Sequence, residues 1–278
     1  MCAFLAEGEP VTGVSASPPI DGLCDALHRA SGRLTGLLRQ DPDPSAPAIG
    51  VWSVGETAAH VSHSPTYFLA VARGEATEPE ALDDVARSNA DVLAADPERR
   101  PRVLADRLER AGEELVSFAR SLDGDPVVRP FAGVDVPVSS VLAIELGELL
   151  VHGLDIARAA KLPWAIPRDE AALTVQGLVP LLPFTVDEGR ARRVALRCEL
   201  RIRGDGRAGL TLEDGALRIG PRQPAGQLDC RLSVDPAALL LLTFHRTGTM
   251  RPILRGQMLA WGLRPWRAMT LPRVMKTI

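Results

Sequence analysis

The sequence predicts a four-helix bundle over residues 18–165 followed by a small α+β domain over 166–278. Three observations carry this expectation. Four long stretches with apolar residues at helical spacing fill the first half, with no convincing alternating strand among them. "KLPWAIPRDEA" (161–171) then sets Pro163 and Pro167 where a helix would have to continue. Beyond it the apolar period changes to two: in "RVALRCELRI", Val194, Leu196, Cys198, Leu200 and Ile202 alternate with Ala195, Arg197, Glu199 and Arg201.

Residues 1–17 are small, polar and aperiodic. They read as a loose leader without the basic n-region of a signal peptide. The first helix begins near Ile20 and aligns Leu23, Leu27, Leu34, Leu37 and Leu38 on one face. "DPDPSAPAIG" (41–50) interrupts it. In the second helix Ser53 and Glu56 form a capping-box signature. Ala58, Val61, Phe68 and Val71 supply the apolar face, and Pro65 should kink it. A third helical region spans about 84–122, broken near Pro97 and Pro101. Val103, Leu104, Leu108, Ala111, Leu115 and Phe118 share one side of its second half. "DGDPVVRPFAGVDVPVS" (123–139) reads as a long linker, and the fourth helix starts near Ser139 or Ser140. In the second domain a helical stretch over about 168–186 precedes the strands. Asp214-Gly215 marks a hairpin. "GQLDCRLSV" (226–234) gives a further strand, and Asp235-Pro236 opens a helix running into "AALLLLTF". Trp261 and Trp266 most simply anchor this domain's core.

Composition narrows the function. A formal charge of −3 argues against a general nucleic-acid binder, whose domains carry a strongly basic face. No apolar run reaches the roughly 18 residues of a membrane span. A cytoplasmic monomer or homodimer acting on small molecules is the expectation. Cys2, Cys24, Cys198 and Cys230 are scattered, which suggests neither a disulfide framework nor a zinc ribbon. A metal site here must draw on His and carboxylates.

One stretch concentrates such residues. "IELGELLVHGLDIA" (144–157) carries Glu145, Glu148, His152 and Asp155 in an otherwise apolar helix. At about 100° per residue the four fall in one narrow stripe. Most of the circumference is Leu, Ile and Val, so protein surrounds the helix and the stripe faces a thin slot of solvent or the bundle interior. Glu148 and His152 are one turn apart and can converge on one ion, as Glu and His do in metal-binding bundles. A third ligand must come from another helix. His60, flanked by small alanines, is the best candidate and His63 the reserve. Two His and one Glu form a three-ligand set for zinc with one position left open. The plainer reading is an ordinary Glu–His pair and a packed histidine. Glu145 and Asp155 support the site or face water. His28 and Tyr67 line the bundle cavity or simply pack.

These residues carry a resemblance. "WSVGETAAHV", from Trp52 through His60, resembles the start of the second helix in mycothiol-dependent maleylpyruvate isomerase-type proteins. "ELLVHGLDIARA", beginning at Glu148, resembles the Glu-x-x-x-His-Gly-x-Asp segment of their fourth helix. The family belongs to the DinB-like metal-binding bundles, and the resemblance covers about residues 20–165. "LSVDPAALLLLTFHRTG" and "LRGQMLAWGLRPW" are similar, more weakly, to the family's accessory α+β domain, which is related to sterol-carrier-type folds. The resemblance implies a divalent metal, usually zinc, held by His60, Glu148 and His152. It also implies mycothiol, the low-molecular-weight thiol of actinobacteria, as cosubstrate or cofactor.

A metal-activated thiolate would then attack an electrophilic small molecule, as an S-transferase or a maleylpyruvate isomerase-type cis-trans isomerase. The resemblance further implies a basic catalytic residue from the accessory domain that holds an acidic substrate. Arg246 occupies that place, but His245 stands where relatives show Gly, and Arg246 can equally be a helix C-terminal charge. The competing class is a non-catalytic small-molecule or lipid-binding protein, with the apolar helix after Pro236 lining a ligand tunnel.

Overall fold

The computed structural model describes residues 17–76, 84–131, 134–204, 206–220, 224 and 226–276. The expected leader lies outside these, apart from Ser17. The chain forms two compact units. One holds residues 17–178 with 236–248, and the other holds 179–235 with 249–276.

The first unit is built on α1 (Ile20–Leu38), α2 (Val54–Ala72), the short α3 (Val85–Ala95), α4 (Pro101–Arg120) and α5 (Val138–Ala160). Both α1 and α2 pack against α4 and α5. The five leucines expected on the face of α1 are all buried, as are Ala58, Val61, Phe68 and Val71 of α2. On α4 the buried face is Leu104, Leu108, Ala111 and Leu115, whereas Val103, 100° off that stripe, is exposed. The capping box forms: Ser53 Oγ accepts from the Glu56 N–H, and Glu56 Oε2 accepts from the Ser53 N–H at 2.8 Å. The helix then continues through Pro65 to Ala72.

The linker expectation is corrected. β3 (Val127–Phe131) and β4 (Val134–Pro137) form an antiparallel hairpin there, and β1 (Pro47–Ile49) pairs with β2 (Trp52–Ser53). Val134 and Val136 turn inward around exposed Asp135, an alternation too short to stand out among the prolines. α5 starts at Val138. Asp125 accepts from both the N–H and the hydroxyl of Ser139, satisfying the helix start from outside the helix.

Two further helices belong to this unit, α6 (Arg168–Leu178) and α8 (Pro236–Thr243). Buried Glu170 ties α6 to α1 by accepting from Arg29 and Arg33. The helix expected to reach 186 turns to 3-10 geometry over Val179–Thr185, where Pro180 and Pro183 remove helical donors.

In the second unit β5 (Leu196–Ile202), β6 (Arg207–Glu213), β7 (Ala216–Gly220), β8 (Cys230–Val234) and β9 (Met258–Trp261) form one sheet in the order β7-β6-β5-β8-β9. β5 runs parallel to β8, and the other neighbours are antiparallel. Asp214 and Gly215 take φ of 52° and 86°, as a two-residue hairpin turn demands. Short helices α7 (Glu188–Ala191), α9 (Met250–Leu254) and α10 (Leu271–Val274) complete the unit. Trp261 and Trp266 are not core residues: they are 39% and 67% exposed. Only Met258 of the edge strand β9 is buried, and Trp261 lies under the Arg201 guanidinium instead. Among the described residues, no helix is long and apolar enough to cross a membrane.

Gly153 shows how tightly the end of α5 is fitted. The Trp164 ring packs so closely that a Cβ at 153 would lie 2.1 Å from its Cζ2, while Trp164 Nε1 donates to the Leu150 carbonyl at 3.0 Å. Gly153→Ala is expected to lower stability by about 2 kcal/mol through overpacking. Thermal unfolding checks this, and an unchanged midpoint would contradict it.

Candidate metal centre

The polar stripe of α5 is buried as its apolar flanks require. Glu145 is wholly inaccessible, Asp155 is 3% and His152 8% exposed, and Glu148 is the most open of the four. Glu148 Oε2 lies 3.1 Å from His152 Nε2, one turn along the same helix. The same oxygen lies 3.0 Å from Nε2 of His60, which α2 presents across the bundle. One donor atom from each of the three lies within 4.8 Å of the other two.

His60 and His152 meet edge to face, with ring centroids 5.1 Å apart. The Trp52 ring, just before α2, covers both at 5.0 and 6.2 Å. The capping box that starts α2 one residue after Trp52 thus sets the register of the tryptophan and of His60.

A second layer fixes His152. Asp155 Oδ2 approaches its Nδ1 at 3.2 Å, which leaves Nε2 as the atom facing Glu148 and His60. Asp155 is held in turn by Arg246, whose Nε and Nη2 reach its carboxylate at 3.0 and 2.8 Å. Arg246 Nη1 donates to the Phe244 carbonyl at 2.6 Å. The turn that aims Arg246 passes through His245 at φ 55°, a left-handed conformation that glycine adopts without cost. Arg246 therefore spends its donors on Asp155 and the backbone rather than standing free.

Electrostatics follow this geometry. Burial alone would raise the Glu148 carboxyl, but bonds to His152 and His60 outweigh it and hold the group far below the usual carboxylate range. Burial alone would lower His152, yet its contacts with Asp155 and Glu148 push it up to about 9. Asp155 is likewise held low by His152 and Arg246 against its burial. Glu145 is different: burial drives its carboxyl well above the ordinary range against the neighbouring Ser64 hydroxyl, and neither oxygen has a hydrogen bond of good geometry among the described residues.

The donor set fits a divalent ion of the zinc kind. Two imidazole Nε2 atoms and a carboxylate oxygen converge, and the Asp155 carboxylate lies 3.2 Å behind the His152 ring. His63, the reserve ligand, is engaged elsewhere: its Nε2 lies 2.7 Å from Asp96 and 3.1 Å from Arg107. Tyr67 donates to the Pro130 carbonyl at 3.2 Å, and His28 borders a separate cavity. The layer behind His152 was only half visible in the sequence. Asp155 follows at the spacing of one helical turn, but its link to Arg246, 91 residues on, has no local signal.

The profile of the family described as "Mycothiol maleylpyruvate isomerase N-terminal domain" matches residues 24–157. Among solved structures, the crystal structure of the mycothiol-dependent maleylpyruvate isomerase is similar at 15% identity and a TM-score of 0.51, over 83% of this chain and 91% of that one. A histidine-to-alanine mutant of that isomerase is similar at 14% identity and a TM-score of 0.52, over 82% and 90%. At these identities the likeness is one of fold. Among curated proteins, none is similar in sequence.

Proposed function

Because residues 24–157 belong to the mycothiol maleylpyruvate isomerase N-terminal domain family, we propose that the chain is an enzyme that uses a divalent metal and mycothiol. In this reading a thiolate attacks an electrophilic carbon of a small molecule. The observation that carries the proposal is the convergence of His60, Glu148 and His152 within 4.8 Å at the inner face of the bundle.

His60, Glu148 and His152 would hold the ion, zinc being the best match to two imidazoles and a carboxylate. When bound, such an ion lowers the pKa of a coordinated thiol, so that the nucleophilic thiolate is available near neutral pH. The rest of the work falls to the chain. Asp155 keeps the His152 Nε2 directed at the centre, and Arg246 keeps Asp155 in place. Trp52 covers the two imidazoles and limits water there. Whether the attacked molecule keeps the sulfur, as in an S-transfer, or loses it after rotation about a double bond, as in a cis-trans isomerisation, depends on the electrophile.

We assign Arg246 a positioning role, exerted through Asp155, in place of the substrate contact that the resemblance implied. Arg246→Met is expected to weaken metal binding by about 10- to 100-fold, with Arg246→Lys intermediate. A chelator competition titration measures this, and unchanged affinity in Arg246→Met would remove the assignment. The proposal as a whole is tested by metal analysis of the reconstituted protein and by metal-dependent loss of free mycothiol with α,β-unsaturated acids. Retention of less than about a tenth of an equivalent of metal after reconstitution would sink it.

A further inference from the structure

The sheet of the second unit has two unlike faces. Cys198 and Leu200 of β5, with Cys230 and Leu232 of β8, turn to one face and are buried. Strand alternation sends Glu199, Arg201, Arg231 and Ser233 to the other. The register carries this second face onto the edge strand β9, where Trp261 lies opposite Arg231 and Leu259 opposite Ser233. Both edge residues are exposed.

On this face one buried carboxylate, Glu199, is shared by Arg201, Arg207 and Arg231. The guanidiniums outnumber the carboxylate they surround, so positive charge and N–H donors are left over. The surplus continues into the turn after α9. Arg203 Nε donates to Ser233 Oγ at 3.2 Å, and its Nη1 donates to the Gly256 carbonyl at 2.7 Å. That pair of bonds holds the turn on the same side of the sheet as Leu259 and Ser233. Just before Gly256 stand Leu254, which is 81% exposed, and Arg255, also exposed and without an ion-pair partner among the described residues. From Pro236 to the end of the chain there is no acidic residue, although the chain as a whole carries a formal charge of −3. Unneutralised arginines and exposed aliphatic side chains thus share one surface, a combination that marks an interaction site.

We propose that this face, from Arg201 and Arg231 to Leu254 and Arg255, docks on an anionic lipid bilayer. The arginines donate to lipid phosphates while Leu254, Leu259 and Trp261 enter the headgroup layer. A second copy of the chain would bring the arginines against one another. Nucleic acid would satisfy them, but it offers no apolar layer to Leu254 and Leu259. One face of the Trp261 ring, where a base could stack, already carries the Arg201 guanidinium 5.2 Å from its centroid. The leucines therefore select the bilayer among polyanions. The contact is peripheral, since it uses side chains on a sheet face and a turn rather than a spanning helix. None of the metal-centre residues takes part, so this inference and the metal and thiol reading stand or fall separately.

Co-sedimentation of the full-length protein with phosphatidylcholine vesicles, pure or mixed equally with phosphatidylglycerol, tests it. Binding to the mixed vesicles should be at least about tenfold tighter than to the neutral ones, and most of that margin should vanish at about 0.5 M salt. Arg255→Glu should weaken it at least about tenfold by reversing a charge at the surface. Leu254→Ser should weaken it at least about threefold by removing an inserted side chain. Both positions are exposed, so parental thermal midpoints are expected and show that each variant is folded. Equal binding to the two kinds of vesicle, or none at about 1 mM lipid, overturns the proposal. Parental binding in Leu254→Ser overturns it too, and combined with loss in Arg255→Glu it would mark the face for nucleic acid or another polyanion instead.

Discussion

Glu148→Gln should leave a folded chain that holds a divalent ion at least about a hundredfold more weakly than the parent, with thiol-dependent turnover falling in step. The reason lies in one oxygen. Glu148 Oε2 is the shared neighbour of His60 Nε2 and His152 Nε2, at 3.0 and 3.1 Å, and it supplies the only negative charge among the three donors. An amide keeps the shape but removes that charge, and it can turn an N–H toward the imidazoles. Stability should change much less than affinity, because the substitution also removes the desolvation of a buried carboxylate. Chelator competition and thermal unfolding on the same preparations separate the two effects. Parental metal affinity in Glu148→Gln would show that the three side chains form only a hydrogen-bonded cluster.

Glu145→Leu is expected to act in the opposite sense, raising stability by about 2 kcal/mol near neutral pH. Neither Glu145 oxygen has a hydrogen bond of good geometry among the described residues, and leucine leaves nothing unsatisfied at this buried position. The sign of the pH dependence follows from the raised pKa of Glu145 in the fold. Below the ordinary carboxyl range of about 4.3 the group is protonated in both states and its ionisation adds no cost. As pH rises past that value the unfolded chain ionises first, so the parent loses stability until the folded-state pKa is passed. The advantage of Glu145→Leu should therefore be smaller at pH 4 than at pH 7. Denaturation at both values checks it, and an equal or reversed difference would contradict the account.

Much of the centre is legible in the sequence because it is local. Glu148, His152 and Asp155 recur at helical spacing on α5, and the flanking leucines and valines forced their stripe inward. The capping box at Ser53 likewise announced the start of α2 from two residues. What escaped depends on contacts between distant segments. The β3–β4 hairpin gains its pairing from neighbours rather than from a pattern of its own. Arg246 finds Asp155 only because α8 packs in the bundle's unit. Trp261 misled because size and apolarity do not reveal that a strand lies at a sheet edge, and Trp266 because they do not reveal the exposed side of the 3-10 turn that follows that strand.

The tryptophan above the two imidazoles gives the centre an optical handle. Trp52 is one of four tryptophans, and its ring lies within 6.2 Å of both His60 and His152. A charge arriving between those rings alters the field across the Trp52 indole directly, and comparison with Trp52→Phe subtracts any response of Trp164, which packs against Gly153 beside His152. Difference fluorescence between the parent and Trp52→Phe should therefore follow filling of the centre in real time, with no label and no substrate. A metal-dependent signal of the same size in Trp52→Phe would mean that the light comes from elsewhere.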